Sequence, residues 1–177
     1  IRKLGIWDHP VIQEFHYDIR LGKTIVEALR PGVEFNTFRH FTDIDDFAVV
    51  RKRDEMSRED KIDHIIRALK QVGKKYDFGF NAEMPDTIVC SELHYTVWRG
   101  LEFETTKYIG RSTLNVDQVV KQGLEGMSFR PVILYIDGKK IDENIQATYD
   151  SIYRDSEFNT TIIRALSNDI PEIETDI

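Results

Sequence analysis

The sequence contains a single cysteine, Cys90, among 177 residues. An internal disulfide framework is therefore excluded, and a free thiol suits either the cytosol or an exported setting. No uninterrupted apolar run approaches the ~20 residues that a membrane-spanning helix needs, so we expect a soluble protein without a membrane span. The chain begins at Ile1 rather than at a methionine, which suggests that an upstream segment has been lost or cleaved and leaves the compartment undetermined.

The sequence also lacks a concentration of basic charge. The net charge is -7, and acidic residues are mixed among basic ones. No basic stripe follows the pattern that binds a phosphate backbone, so nucleic acid is not an expected partner. The histidines are scattered without H-x-x-x-H or C-x-x-C spacing, so no metal site is predicted. Because repeats and linkers are absent, we expect one domain over residues 1–177.

Local patterns predict β structure first, then a central helix and a helix that begins at the cysteine. Turn residues, apolar alternation and helical spacing give the boundaries. The predicted strands are Val11–Phe15, Thr24–Leu29, Phe47–Val50, Thr105–Ile109 and Pro131–Ile136, and the predicted helices begin after Ser57 and at Cys90 and cover Asn115–Gly123, Ile141–Tyr153 and Asn159–Ser167. This order of elements indicates an α+β domain.

Cys90 lies where an extended, turn-rich stretch gives way to a helix. Met84-Pro85-Asp86 predicts a turn before it, and Leu93, Val97 and Trp98 follow it at helical spacing. The unpaired backbone N–H groups and the macrodipole at a helix start favour an anion, and so favour the thiolate. The position therefore suggests a nucleophile, although a lone cysteine is often only a small buried apolar residue.

The residues around Cys90 carry a specific resemblance. Tyr76-Asp77-Phe78, Phe80 and Cys90-Ser91-Glu92-Leu93 resemble the YDF, F and CSEL signature of the circularly permuted NlpC-type papain-like cysteine hydrolases, the YiiX-like proteins. The resemblance implies a papain-like fold in which an antiparallel β-sheet or half-barrel packs against helices that include the nucleophile helix. It is strongest over residues 5–98. Residues 101–177 match no part of the family that we can place and are expected to be a variable C-terminal part.

The resemblance also implies where the catalytic base lies. In the permuted branch, a histidine and a polar partner on the next strand precede the cysteine. Residues 5–9, Gly-Ile-Trp-Asp-His, resemble the family's W-x-H entry to the histidine strand, which implies His9 as the base. Residues 25–28 and 31–33 resemble its IEA and PGV run, which implies Glu27 as the residue that orients the imidazole.

His16 remains an alternative base. A strand that begins at His16 has alternating apolar residues and a short hairpin back to Glu27. Pro10 counts against His9 because it removes a ladder donor beside it. The other histidines are expected to have no catalytic role: His40 lies in a predicted loop without a family counterpart, His64 is read as solvated surface, and His94 as packing or surface.

Three further residues near Cys90 receive predictions. Tyr76 is a candidate for lining the substrate site or donating to an oxyanion, although packing beneath the cysteine helix is the simpler interpretation. Backbone N–H groups at the helix start are the more natural oxyanion donors. Asp77 and Glu92 are expected to serve the local turn and the helix N-terminus.

By resemblance, the chain is a cysteine hydrolase that cleaves an amide bond through an acyl-enzyme. Its expected partners are a small peptide, a peptidoglycan fragment or an acyl substrate, and the chemistry needs no cofactor. One alternative is a lipid ester or amide acyltransferase or thioesterase that uses the same triad. Another is a non-catalytic module that binds a ligand in the same place.

Overall fold

The structure is a computed structural model that describes residues 1–78, 86–101, 103, 106–108 and 111–155. The predictions for Phe80, for the turn at Met84 and Pro85, and for a helix over Asn159–Ser167 lie outside these residues. The helices of the described residues are α1 (Pro10–Glu14), α2 (His16–Arg20), α3 (Phe38–Phe41), α4 (Arg58–Leu69), α5 (Cys90–Val97), α6 (Val116–Lys121) and α7 (residues 145–155). The strands are β1 (Lys23–Ala28), β2 (Val33–Thr37), β3 (Phe47–Lys52), β4 (Lys75–Tyr76), β5 (Thr87–Ile88), β6 (Thr106–Tyr108), β7 (Arg111–Thr113), β8 (Phe129–Ile136) and β9 (Lys139–Lys140).

The strands form several small sheets. β1 and β2 make an antiparallel hairpin, β3, β8 and β9 make a three-stranded antiparallel sheet, and β6 pairs antiparallel with β7. β4 and β5 pair in parallel. α5, the helix that begins at Cys90, packs against β1 and α4. The α+β class is confirmed, with antiparallel sheets packed against helices, and the described strands do not close into a barrel.

Most of the predicted elements are confirmed. β1, β3, β6 and β8 lie at the predicted strands, α5 begins at Cys90 as its helical spacing predicts, and α6 begins after its cap Asn115. Ser57 caps α4 as expected, because its Oγ accepts a hydrogen bond from the backbone N–H of Asp60 at 3.0 Å. The Asp137-Gly138 turn follows β8, with both residues at positive φ. These elements depend on signals within a few residues of their ends.

The prediction of a strand at Val11–Phe15 is wrong. This segment forms α1, because Pro10 occupies its first turn and the Nδ1 atom of His9 accepts a hydrogen bond from the backbone N–H of Val11 at 3.2 Å. Ile12 is fully buried beneath the helix. The alternative strand from His16 is also wrong, since that residue begins α2. The apolar residues of Val11–Phe15 fit a helical repeat as well as the alternation of a strand. The helix is the arrangement that buries Ile12.

Two apolar clusters make up the described core. The first lies between α1, β2 and α4, and its buried members are Ile6, Ile12, Phe35, Ile66 and Leu69. The second lies between β1, β2, β5 and α5, and its buried members are Ala28, Val33, Ile88, Leu93 and Val97. Since the second cluster joins the β1–β2 hairpin to the cysteine helix, it fixes the position of Cys90 relative to that hairpin.

Backbone hydrogen bonds join the same two parts of the molecule at Gly32, in the turn between β1 and β2. The N–H of Val33 donates to the carbonyl of Lys74 at 2.8 Å, and the N–H of Tyr76 donates to the carbonyl of Pro31 at 2.9 Å. A Cβ atom on Gly32 would lie 2.3 Å from the Lys74 oxygen, so only glycine permits this approach. β4 then pairs with β5, which leads directly into α5.

Candidate active site

Cys90 is the first residue of α5, and its thiol is exposed to solvent. The three residues that follow it, Ser91, Glu92 and Leu93, are all buried. The first backbone N–H groups of a helix have no partner within the helix and point out of its N-terminus. An exposed thiol is therefore held at a place where oriented N–H groups favour negative charge.

Two buried hydrogen bonds hold the first turn of α5 in place. The hydroxyl of Ser91 donates to the carbonyl of Leu114 at 2.7 Å. The Oε2 atom of Glu92 accepts from the backbone N–H of Val89 at 3.0 Å, which confirms the prediction that Glu92 serves the helix N-terminus. Buried hydrogen bonds therefore hold the backbone segment that carries the thiol.

Electrostatics near this turn raise the pKa of Glu92 above its ordinary value of 4.5. Burial is the main cause, because it disfavours the charged carboxylate. The hydrogen bond from Val89 lowers the pKa, whereas the neighbouring charge of Asp77 raises it. Asp77 is itself buried, and its backbone N–H donates to the carbonyl of Ile88 at 3.3 Å. The Glu92 carboxyl group and the backbone of Asp77 therefore both hold the segment that leads into Cys90.

Tyr76 lies on β4, beside the strand that leads to Cys90. It is half-buried, and its ring centroid lies 5.3 Å from that of Phe78 in a tilted arrangement. Arg30 places its guanidinium 5.3 Å from the Phe78 ring. These contacts give Tyr76 a packing role, and its role in substrate binding stays a prediction.

Glu27 lies on β1 with a side chain that is only 13% exposed. Its Oε1 atom accepts a hydrogen bond from the side-chain amide of Asn36 at 2.7 Å. The same oxygen lies 3.6 Å from the Nε2 atom of His40. A histidine, a carboxylate and an amide therefore form a small polar cluster on the hairpin.

The prediction that His40 lies in a loop is wrong. This residue lies in α3, a single turn that Thr37 caps by accepting a hydrogen bond from the N–H of His40 at 3.2 Å. Residues 34 and 36 alternate with buried Val33 and Phe35, so they share the face of the hairpin that carries Glu27. That alternation is the sequence signal that could have identified Asn36. The approach of His40 depends on the direction in which α3 leaves β2, for which no local signal exists.

His9 and His16 lie in the helical N-terminal segment. His9 caps α1, as described above, and the Nδ1 atom of His16 lies 2.7 Å from the carbonyl of Gln13. Among the described residues, no hydrogen bond or ion pair joins either histidine to Glu27 or to Cys90. The structure thus brings Glu27 together with His40, and the catalytic assignments of Cys90, His9 and Glu27 stay predictions.

Of the two remaining histidines, His64 lies on α4 and His94 lies within the cysteine helix. His64 was read as solvated surface, but it is half-buried, and its ring centroid lies 4.5 Å from that of Trp98. His94 lies one turn after Cys90 and keeps part of its side chain exposed, yet the protein around it lowers its pKa by desolvation. The neutral ring is therefore favoured at this position.

The described part of the chain offers no group of three or more His, Cys, Asp or Glu side chains that could hold a metal ion. Over the same residues, no helix combines the length and the apolar character required to cross a bilayer. Two features are candidate parts of a site: the exposed thiol at the start of α5, and the contact of Glu27 with Asn36 and His40 at the hairpin against which α5 packs. A thiol with oriented N–H groups beside it can attack a carbonyl and stabilise the resulting oxyanion.

Comparison with known proteins gives one match. The model of a family described as "Permuted papain-like amidase enzyme, YaeF/YiiX, C92 family" matches residues 4–156. The match extends well beyond Gly100, where the sequence motifs gave no resemblance, and takes in the strands from β6 to β9 and the helices α6 and α7. No curated protein and no solved structure matches the chain.

Proposed function

The chain belongs to the permuted papain-like amidase family, and we propose that it hydrolyses an amide bond through an acyl-enzyme formed on Cys90. The observation that carries this proposal is an exposed thiol at the first position of a helix whose next three residues are buried. Papain-like amidases need a nucleophile that is accessible and also rigidly held. The Cys90 turn has both properties.

The proposed reaction begins when the Cys90 thiolate attacks the carbonyl carbon of the amide. A carbon–sulfur bond forms, and N–H groups at the start of α5 stabilise the negative oxygen. A histidine gives its proton to the leaving nitrogen as the carbon–nitrogen bond breaks. The same histidine then takes a proton from water, which attacks the thioester and releases the acid and the thiolate.

We propose that Glu27 orients the histidine. The family resemblance favours His9 as the base, with His16 as the alternative, whereas the 3.6 Å approach to Glu27 favours His40. Glu27 suits the role because Asn36 fixes one carboxylate oxygen while most of the side chain is covered. Three histidines therefore compete for one role, and a single experiment distinguishes them.

That experiment measures the rate of Cys90 alkylation by iodoacetamide from pH 5 to 9, followed by intact mass. The parent protein is compared with His9→Ala, His16→Ala and His40→Ala. His64→Gln is the control, because this histidine is not a candidate base and its ring packs against Trp98. We expect labelling in the parent to persist well below pH 7, and substitution of the base to shift the profile upward. If every profile rises together near pH ~8.5, as for a free thiol, no thiolate–imidazolium pair exists.

The proposed substrate is an amide in a peptide or a cell-wall peptide. Membership of an amidase family supports a peptide-type amide. Matched peptide amide, peptide ester and lipid ester substrates test it, with Cys90→Ala as the control. Turnover of the peptide amide supports the proposal. Turnover of the lipid ester alone would favour an acyltransferase or thioesterase on the same residues, and no turnover would favour a binding module.

A further inference from the structure

A concave site that Cys90 does not line lies between the N-terminal helices, the β1–β2 hairpin and α4. Its volume is about 680 Å³, within the range of small-molecule sites. Its apolar lining includes Trp7, Ile19, Val26, Phe35, Ile65 and Leu69. Phe35 and Leu69 are buried, and the cavity is partly open to solvent. An apolar group of this size would be removed from water here, which favours its binding.

Three basic side chains also line this cavity, and no acidic one does. Arg2 and Arg20 place their guanidinium carbons 5.5 and 5.6 Å from the centre of the Trp7 ring. Lys23, the third, is paired with Asp18 at 2.7 Å. Among the described residues, no carboxylate lies within ion-pair distance of either arginine. Two guanidinium groups are therefore held beside one indole ring without an acidic partner in that part of the chain.

This positive charge contrasts with the acidic character of the whole protein, whose net charge is -7. Two like charges beside one ring repel each other, and the contact with the ring offsets this only in part. A carboxylate bound by these groups would offset the repulsion, and arginine binds carboxylates through paired hydrogen bonds. The cavity thus combines an apolar interior with an anion-binding rim.

We propose that this cavity binds a small apolar carboxylate. Its hydrocarbon body would lie against Phe35 and Leu69, and its carboxylate would bind Arg2 and Arg20 beside Trp7. None of the proposed catalytic residues lines the cavity. Val26 lines it, whereas Glu27, its neighbour on β1, lies on the opposite face of the hairpin. The proposal therefore does not depend on the identity of the catalytic residues.

Isothermal titration calorimetry with three probes of equal chain length tests this inference. Decanoate, decanol and decylammonium share one hydrocarbon body and differ only in the charge of the head group. We expect decanoate to bind at least about tenfold more tightly than decanol, since hydrogen bonds to a charged carboxylate are stronger than those to a neutral hydroxyl. Decylammonium should bind more weakly than decanol because the arginines repel it.

Variants then separate the head-group contribution from the apolar one. Arg20→Gln should weaken decanoate binding about tenfold and leave decanol unchanged, whereas Arg130→Gln, an exposed arginine on β8 that does not line the cavity, should change neither. Thr24→Trp, at an exposed position that lines the cavity, should weaken both probes. Cys90→Ala should bind all three as the parent does.

Two results would overturn the proposal. Equal binding of the three probes would show that the cavity takes up apolar chains without recognising an anion. No binding of decanoate, by a protein whose circular dichroism is that of the folded parent, would show that the cavity is not a ligand site. Either result leaves the alkylation experiment on Cys90 unaffected, so failure of this inference is distinguishable from failure of the proposed amidase activity.

Discussion

The two halves of the proposed site are built in different ways. The nucleophile half, β5 with the first turn of α5, places Cys90 above residues that are 3 to 7% exposed. The acid–base half comprises Glu27 with the three candidate histidines, and the side chain of His40 is 57% exposed. All three histidines lie at or within helices of four or five residues. The core thus fixes the candidate nucleophile, whereas short helices carry the candidate bases.

Separating the two halves should have the largest effect on stability. Gly32→Ala would drive a Cβ atom against the Lys74 carbonyl, and relief requires the hairpin to move away from β4. We expect a loss of about 3 kcal/mol or more in the free energy of unfolding. Gly22→Ala is the control: nothing lies within 4 Å of its added Cβ atom, and its φ of 86° should cost about 1–2 kcal/mol. Urea denaturation measures the free energy of unfolding of both variants. Equal losses would contradict the inference that the close approach of Gly32 to Lys74 joins the hairpin to β4.

Loosening the nucleophile half from within should have the next largest effect. Ser91→Ala leaves the buried Leu114 carbonyl without its donor, which should cost about 1–3 kcal/mol. Ser151→Ala, at an exposed position on α7, should change stability by less than about 0.5 kcal/mol. Thermal denaturation of the two variants gives the comparison. If the stability of Ser91→Ala equals that of the parent, the buried hydrogen bond to Leu114 does not hold the first turn of α5.

A smaller effect is expected from the charge on Glu92, and it depends on pH. The raised pKa means that the folded protein holds this proton more tightly than the unfolded chain does. The resulting stability is complete below the ordinary pKa of 4.5 and is lost as the pH rises through the folded value. Glu92→Gln keeps an oxygen that can accept from Val89 but does not titrate. Stability measured from pH 4 to 7 should therefore decline more steeply in the parent, and parallel curves would contradict the assignment.

The smallest effect on stability should come from the acid–base half. The contact of His40 with Glu27 is an ion pair only when the imidazole is protonated, and a pair with so exposed a histidine contributes at most about 1 kcal/mol. A double-mutant cycle with His40→Gln and Glu27→Gln should give a coupling energy below about 0.5 kcal/mol. A coupling several times larger would show that the contact is structural. A small coupling, combined with an altered alkylation profile in His40→Gln, would indicate a role in reactivity.

The same contrast explains what could be predicted from the sequence. The start of α5 depends on signals within a few residues, namely the N-terminal Glu92 and the apolar spacing of Leu93 and Val97, and these gave the correct helix. α1 was mistaken for a strand because its apolar residues suit both periods, and only the burial of Ile12 distinguishes them. Local sequence patterns can determine where a helix starts. They do not determine which side of a short amphipathic segment packs against the core.

The partner of Glu27 could not be predicted for a related reason. The motif that contains Glu27 identified the residue, and the alternation along β2 places Asn36 on the same face. The approach of His40 arises because α3 turns back over the hairpin after Thr37. That direction depends on packing between segments. The sequence therefore identified the family and its candidate nucleophile more readily than the histidine that meets Glu27.

The central claim is that Cys90 carries an acyl group during amide hydrolysis, and intact-mass analysis tests it most directly. The protein is mixed with an activated peptide ester, quenched in acid at successive times and digested to locate the adduct. The account predicts one acyl group per chain, on Cys90, that disappears as the peptide acid is released, and no adduct in Cys90→Ala. An unmodified Cys90 during turnover, or the same turnover by Cys90→Ala, would contradict it.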